Sequence, residues 1–263
     1  MAGNAAAVAL EGVALRYGPF TAIESISFQV PHGQFVALVG PTGCGKSSVL
    51  NLVAGLIGPS QGQVTTAGRS VTTVNRECAY MFQADALLPW KSALDNVALG
   101  PNLRGTSRPE ALRLAREWLI RVGLRGFEER YPHQLSGGQR KRVAMAQALI
   151  NSLPILLMDE PFSALDAQTR ALMEQELLTL WHEQEATVLF VTHDLEEAIA
   201  LSDRVVLFTA GPKAALKGDY AVDLPRPRNV VEARFTPGFN DIYEQVWNDL
   251  RSEVMASYER QRT

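Results

Sequence analysis

The chain has 263 residues, enough to bury a full core, long for one average domain and short for two independent ones. Its 46% hydrophobic and 20% charged content is that of an ordinary globular protein. A net charge of −3 argues against nucleic acid as a partner gripped through a basic surface.

In chain order, residues 1–7 lack the positive start of a signal peptide, and Glu11 cuts the apolar stretch short. A strand is expected over 26–30, ending at the turn Pro31-His32-Gly33. Residues 35–39 form a continuous apolar run, the pattern of a strand covered on both faces. The glycine-rich run Gly40-Pro41-Thr42-Gly43-Cys44-Gly45-Lys46-Ser47 follows, then Ser48 and a helix over 47–56, stopped near Gly58-Pro59. Further strand-like pieces fall at 63–66 and 71–74.

From 87 to 149 the texture turns helical. Ser107-Arg108-Pro109-Glu110 resembles a capping box, after which Leu112, Ala115, Trp118, Leu119 and Val122 recur at helical spacing, with Gly123 as C-terminal cap. A second helix is expected from just after Ser136 to about residue 151. Strands return at 155–158, 187–192 and 205–208, the first two separated by a helix carrying apolar Leu172, Met173, Leu177, Leu180 and Trp181. Strand, helix, strand in that order implies a parallel sheet, so the helical stretch reads as an insertion into an α/β core. Beyond Gly211 the signal fades into Asp223-Leu224-Pro225-Arg226-Pro227-Arg228, before an amphipathic helix over 239–258 with Ile242, Val246, Leu250 and Val254 or Met255 inward. The most apolar long run, 143–158, is interrupted by Gln147, Asn151, Ser152 and Pro154 and falls short of the ~20 residues that span a bilayer. The two cysteines, Cys44 and Cys78, form no CxxC pair; both read as small buried hydrophobes, although Cys44 lies inside the glycine-rich loop, where a thiol modifier would block a ligand.

The pattern GxxxxGK[ST] carries chemistry. Its glycines let backbone N–H groups wrap a phosphate at a helix N-terminus, Lys46 adds a full charge toward the β- and γ-phosphates, and the Ser47 hydroxyl suits Mg²⁺. Asp159 and Glu160 end an apolar strand, at the edge where open α/β sheets bind ligands. Asp159 is placed to hold Mg²⁺ through water, and Glu160 to polarise the water that attacks the γ-phosphate. Between these halves stands Leu135-Ser136-Gly137-Gly138-Gln139, whose serine and glycines open a helix and so form another anion-binding N-terminus.

With these motifs in this order the chain resembles the ABC transporter ATPases over nearly its whole length. The resemblance implies a P-loop ABC ATPase core of α/β class, with an N-terminal antiparallel β-subdomain and an inserted α-helical signature subdomain. The expected division is 1–86 and 150–225 for the nucleotide-binding core, 87–149 for the helical insertion and 226–263 for a C-terminal tail. It also implies ATP and Mg²⁺ as ligands. Tyr17 corresponds to the aromatic that stacks on adenine, the packed strand tyrosine being the alternative. Gln83 corresponds to the Q-loop glutamine that contacts Mg²⁺ and the attacking water. Ser163-Ala164-Leu165-Asp166 corresponds to the D-loop, which crosses a dimer interface. His193, 33 residues after Glu160 on the next strand, corresponds to the switch histidine that senses the γ-phosphate. Ser136, Gly137, Gly138 and Gln139 correspond to the signature that reaches the nucleotide of the opposite subunit, so a homodimer completes two sites. Gln147 departs from the pattern, standing where relatives usually carry an arginine that supports the helix.

Within the family, Gln83-Ala84-Asp85-Ala86-Leu87-Leu88-Pro89-Trp90 and Leu224-Pro225-Arg226-Pro227-Arg228 are similar to the nitrate/sulfonate/taurine importer group. That implies import of a small anionic solute, or of a pyrimidine vitamin precursor as the alternative. It also implies two transmembrane permease subunits, an extracytoplasmic solute-binding protein acting indirectly, and a peripheral place on the cytoplasmic face of the inner membrane. Ala86, Leu87, Leu88 and Trp90 are candidates for the apolar groove that takes a helix of the permease, with plain packing as the competing account. A non-transport ABC ATPase and a non-hydrolysing regulator are the rival readings. The single core without sustained heptads argues against the first, and Glu160 with His193 against the second.

Overall fold

The computed structural model describes residues 6–163 and 165–262. Residues 1–5, on which most of the leader reading rests, and Ala164 of the D-loop motif lie outside the described residues. Strands β1 (Val8–Tyr17), β2 (Phe20–Val30), β4 (Gln61–Thr66) and β5 (Arg69–Ser70) form an antiparallel sheet in the order β2-β1-β4-β5. The second sheet has six strands in the order β10-β9-β3-β8-β7-β6: β3 is Phe35–Val39, β6 Cys78–Met81, β7 Ile155–Asp159, β8 Thr187–Val191, β9 Arg204–Phe208 and β10 Leu216–Ala221. Five of them run parallel, and β10 pairs antiparallel with β9.

The continuous apolar runs take the middle of this sheet because both its faces are covered. All five residues of β3 and all five of β8 are buried. Phe35, Ala37 and Val39 join one core with Val188 and Phe190, while Val36 and Leu38 join another with Leu189 and Val191. The first core holds α2 (Ala93–Val97), α4 (Arg108–Arg121), α5 (Gly137–Leu149), α6 (Ala167–Gln184) and α7 (Leu195–Leu201); the second holds the antiparallel sheet and α1 (Lys46–Val53). Two short helices, α3 (Leu99–Leu103) and α8 (Val230–Ala233), and the long α9 (Phe239–Arg262) complete the described elements.

Several local expectations are corrected. The helix after the phosphate loop stops at Val53 rather than 56, because Gly55 turns left-handed at φ 68° and Leu56 N–H reaches back to Asn51 O. No strand forms over 71–74: Val71 still donates to Val64 O at 2.9 Å, but the chain then crosses the end of α1, where Asn75 N–H bonds Ala54 O at 2.8 Å. The capping box at Ser107 is absent. Ser107 is the N-cap of α4 without a side-chain bond, and Glu110 instead grips Arg113 through two hydrogen bonds of 2.7 and 2.8 Å. Leu172 lies off the buried stripe of α6 at 61% exposure, and in α9 it is Val254, not Met255, that packs inward. The segment where the sequence signal faded is firmly held. Arg226 pairs with Asp203 at 2.7 Å and covers the Trp181 ring at 4.5 Å, while buried Arg228 donates to the carbonyls of Ser202, Val222 and Leu224.

Candidate active site

In a parallel sheet the C-terminal ends of neighbouring strands share one edge, and β3, β8 and β7 deliver their following loops there together. After β3 the chain must curl tightly. Gly40, Gly43 and Gly45 take φ of 151°, 79° and 97°, values at which side chains are strained. At Gly40 there is also no room, since a Cβ would sit 2.9 Å from Phe208 O. Gly45 is the N-cap of α1 and brings no side chain to its first turn, so these amides suit an anionic ligand.

Lys46 is buried, and its Nζ donates to Gly40 O at 2.8 Å and Pro41 O at 3.1 Å, which holds the ammonium inside the curl of the loop. Pro41 is buried, Thr42 and Ser47 are exposed and Ser48 is half-buried. Cys44 is fully buried; burial pushes its thiol up, against the pull of the Lys46 ammonium 3.7 Å from Sγ, so it acts as a packing group. Ser47 Oγ donates to Asp159 Oδ1 at 3.0 Å. Burial raises the Asp159 carboxyl and the Glu160 charge adds to this, while Ser47 and Lys46 oppose it.

One glutamate oxygen gathers the rest. Glu160 Oε2 accepts from Gln83 Nε2 at 3.0 Å and lies 3.5 Å from His193 Nδ1. The three side chains come from the segments after β6, β7 and β8, which the sheet order makes neighbours. Glu160 has φ 45°, a left-handed backbone seldom adopted by glutamate, stabilised by its N–H bonding Val191 O at 2.9 Å. Ala67, Ala86, Ser152, Glu185 and Lys213 share this backbone region, but Glu160 alone among them joins the site cluster. Tyr17 ends β1 with half its surface exposed, so it is not the core-packed tyrosine of the alternative reading.

The signature is built on another element, at the start of α5. Ser136 Oγ accepts from Gln139 N–H at 3.2 Å, and Gln139 Oε1 accepts from Ser136 N–H at 2.9 Å, a complete capping box. Gly138 lets α5 approach α6, since a Cβ there would lie 3.1 Å from Thr169 Cγ2. Asp166 is the N-cap of α6 and accepts from Thr169 N–H at 3.0 Å, a bond that holds its carboxyl low.

Two residues absent from the sequence reading join these parts. Lys141, buried on α5, donates to Gln83 O at 2.6 Å and pairs with Asp85 at 3.0 Å, tying the Q-loop to the signature helix. Arg140 grips the other oxygen of Asp85 at 2.9 Å. Basic residues after a signature read as a solvated helix face, and no local spacing marks them otherwise. Beside the Q-loop lies a groove of about 760 Å³ whose lining includes Tyr80, Phe82, Ala86, Leu103, Gln147 and Leu153. Of the four apolar candidates only Ala86 lines it: Leu87 packs on the core, and Trp90 is 71% exposed. Among the described residues no helix is long and apolar enough to cross a membrane.

Residues 23–163 match the protein family described as ABC transporter. The aliphatic sulfonates import ATP-binding protein SsuB 2 of Pseudomonas aeruginosa is 47% identical over 227 residues, covering 86% of this chain and 80% of that protein. The nitrate import ATP-binding protein NrtC of Synechococcus elongatus is 40% identical over 241 residues; the match covers 91% of this chain but 37% of that longer protein. Among solved structures, the dimeric post-hydrolysis state of the ATP-binding cassette MJ0796 bound to ADP and Pi superposes with a TM-score of 0.73 at 30% identity, covering 83% of this chain and 100% of that one. The chain therefore belongs to the ABC transporter family, as one of its ATP-binding, ATP-hydrolysing subunits.

Proposed function

We propose that this subunit works as half of a two-fold dimer that drives import of a small anionic solute such as nitrate, an alkanesulfonate or taurine. The observation that carries the catalytic reading is the meeting of Gln83 and His193 on one oxygen of Glu160. In this reading Glu160 takes the proton from the attacking water, Gln83 orients that water, and His193 senses the γ-phosphate. Lys46 and the amides of the phosphate loop bind the β- and γ-phosphates, and Tyr17 stacks on adenine. The fit of Mg²⁺ rests on hard oxygen donors. Ser47 Oγ and Asp159 Oδ1 are already 3.0 Å apart, and with Gln83 they would hold the ion, which neutralises charge on the phosphates when bound.

Ser136, Gly137 and Gly138, at a capped helix N-terminus, complete the site of a second copy, with Gln139 holding the cap. Loss of the γ-phosphate then removes the ligand that favours the closed pair. Residues 1–86 and 150–225 serve as the nucleotide core, 87–149 as the signature subdomain and 226–263 as a tail. The groove beside the Q-loop is the seat for a helix of one of two permease subunits, which sets the subunit on the cytoplasmic face of the inner membrane; a solute-binding protein acts through the permease. The printed names of the nitrate and sulfonate relatives support the choice of solute. Co-purification of the full chain from native membranes tests the reading. The expected result is a multi-span permease in the complex, with turnover stimulated by one of the named anions after reconstitution. Recovery with ribosomes or DNA instead would contradict it.

A further inference from the structure

Arg170 lies one helical turn beyond the Asp166 N-cap of α6, outside every motif of the family pattern. Its Nη2 donates to Leu165 O at 3.2 Å, in the segment that leads into α6. Its Nη1 donates to Asp194 Oδ2 at 3.3 Å, in the residue after His193. One planar guanidinium thereby spans two loops that flank Glu160.

The loop on the histidine side is built to transmit this contact. Asp194 also caps α7, its Oδ1 accepting from the N–H groups of Glu196 at 3.0 Å and Glu197 at 3.2 Å. Asp194 N–H donates to Thr192 Oγ1 at 3.0 Å, and Thr192 Oγ1 donates to Glu197, so both neighbours of His193 are fixed to α7. On the other side, Ser163 Oγ donates to Glu160 O at 3.1 Å. A shift of Ser163 and Leu165 therefore acts on Glu160 directly and on His193 through Arg170.

We propose that Arg170 is a positioning residue that couples the D-loop to His193, so that the approach of a second subunit aligns the histidine against Glu160. The inference rests on the dimer reading above, in which the D-loop meets the partner copy. The Arg170–Asp194 pair leaves about a third of each side chain exposed, at 32% and 32%. An ion pair that accessible contributes little to stability. Its loss is therefore expected to appear in turnover rather than in folding.

The test compares the purified wild type with Arg170→Met, Arg170→Lys, Asp194→Asn and the double variant Arg170→Met/Asp194→Asn. Asparagine still caps α7, so that helix is preserved. Arg170→Met is expected to lower kcat about tenfold, a typical size for a coupling between contacting groups, with ATP affinity by calorimetry and Tm unchanged. Lysine, which cannot span both acceptors, recovers only part of the rate, and the double variant is no slower than the slower single. Wild-type kcat in Arg170→Met, an additive double variant, or a weakened ATP affinity at constant kcat each overturns the inference. Should Arg170→Met not fold, Arg170→Lys and Asp194→Asn decide it: both are expected to be slower, and wild-type kcat in either overturns it. ATP-dependent dimerisation, measured alongside, separates the two readings. Its absence defeats the dimer, whereas a normal dimer with normal Arg170→Met turnover defeats only the coupling.

Discussion

Glu160 accepts from a glutamine and lies beside a histidine through a single oxygen, from a backbone conformation that an L residue adopts at a cost. Replacing its carboxylate by an amide keeps the size and removes the proposed base. Glu160→Gln is expected to cut hydrolysis by ~10²–10⁴ while ATP still binds. A steady-state assay with near-normal kcat would remove Glu160 from the proposed role. A second pair of carboxyls, Glu174 and Glu197, is buried beneath the histidine loop. Burial raises both, and Glu174 reaches about 7 from an ordinary value of 4.5, with its hydrogen bond to Glu197, then Arg170 and Arg234, opposing the rise. A raised carboxyl binds its proton more tightly in the folded chain, so its contribution is fully present below about pH 4.5 and is lost as pH climbs through about 7. Glu174→Gln removes that dependence. Thermal melts are expected to show the wild type losing more Tm between pH 5 and pH 8 than the variant, and parallel losses would refute the assignment.

At the scale of elements, legibility followed burial. Strands β3, β7 and β8 were readable because they are covered on both faces, which turns them into unbroken apolar runs. Strand β10 was not, since Leu-Lys-Gly-Asp-Tyr-Ala leaves no position buried at the sheet edge. The box expected at Ser107 dissolved into a Glu110–Arg113 pair, whereas Ser136 and Gln139 form a complete one inside a motif read chiefly for its phosphate chemistry. The phosphate loop, Asp159, Glu160, Gln83 and His193 were all named from sequence, and the sheet brings them to one edge. Lys141 and Arg170 escaped because a charged residue on a helix gives no local sign that its partner lies in another loop, the Gln83 carbonyl for the one and the Asp194 carboxylate for the other. The close approach of α5 and α6 at Gly138 makes a test at this scale. Gly138→Val would press on Thr169 and obstruct the N-terminus of the signature helix. It is expected to reduce hydrolysis strongly while calorimetric ATP affinity, set by the phosphate loop, stays near that of the wild type. A loss of affinity equal to the loss of rate would place the signature within the same chain's site.

For the whole molecule, the decisive feature is that the catalytic cluster and the signature are built on different elements. Glu160, Gln83 and His193 share a sheet edge, while Ser136 and Gln139 bond each other at the head of α5. In the proposed dimer a second copy would supply the other half of each site, with ATP bridging the two. The relative MJ0796 is described as a dimer in its post-hydrolysis state, which supports this arrangement. Sedimentation velocity of the Glu160→Gln chain with and without MgATP tests the claim most directly. Monomers are expected without nucleotide and a stable dimer with MgATP, lost when Ser136 is replaced by arginine. A chain that binds MgATP yet sediments as a monomer would contradict it.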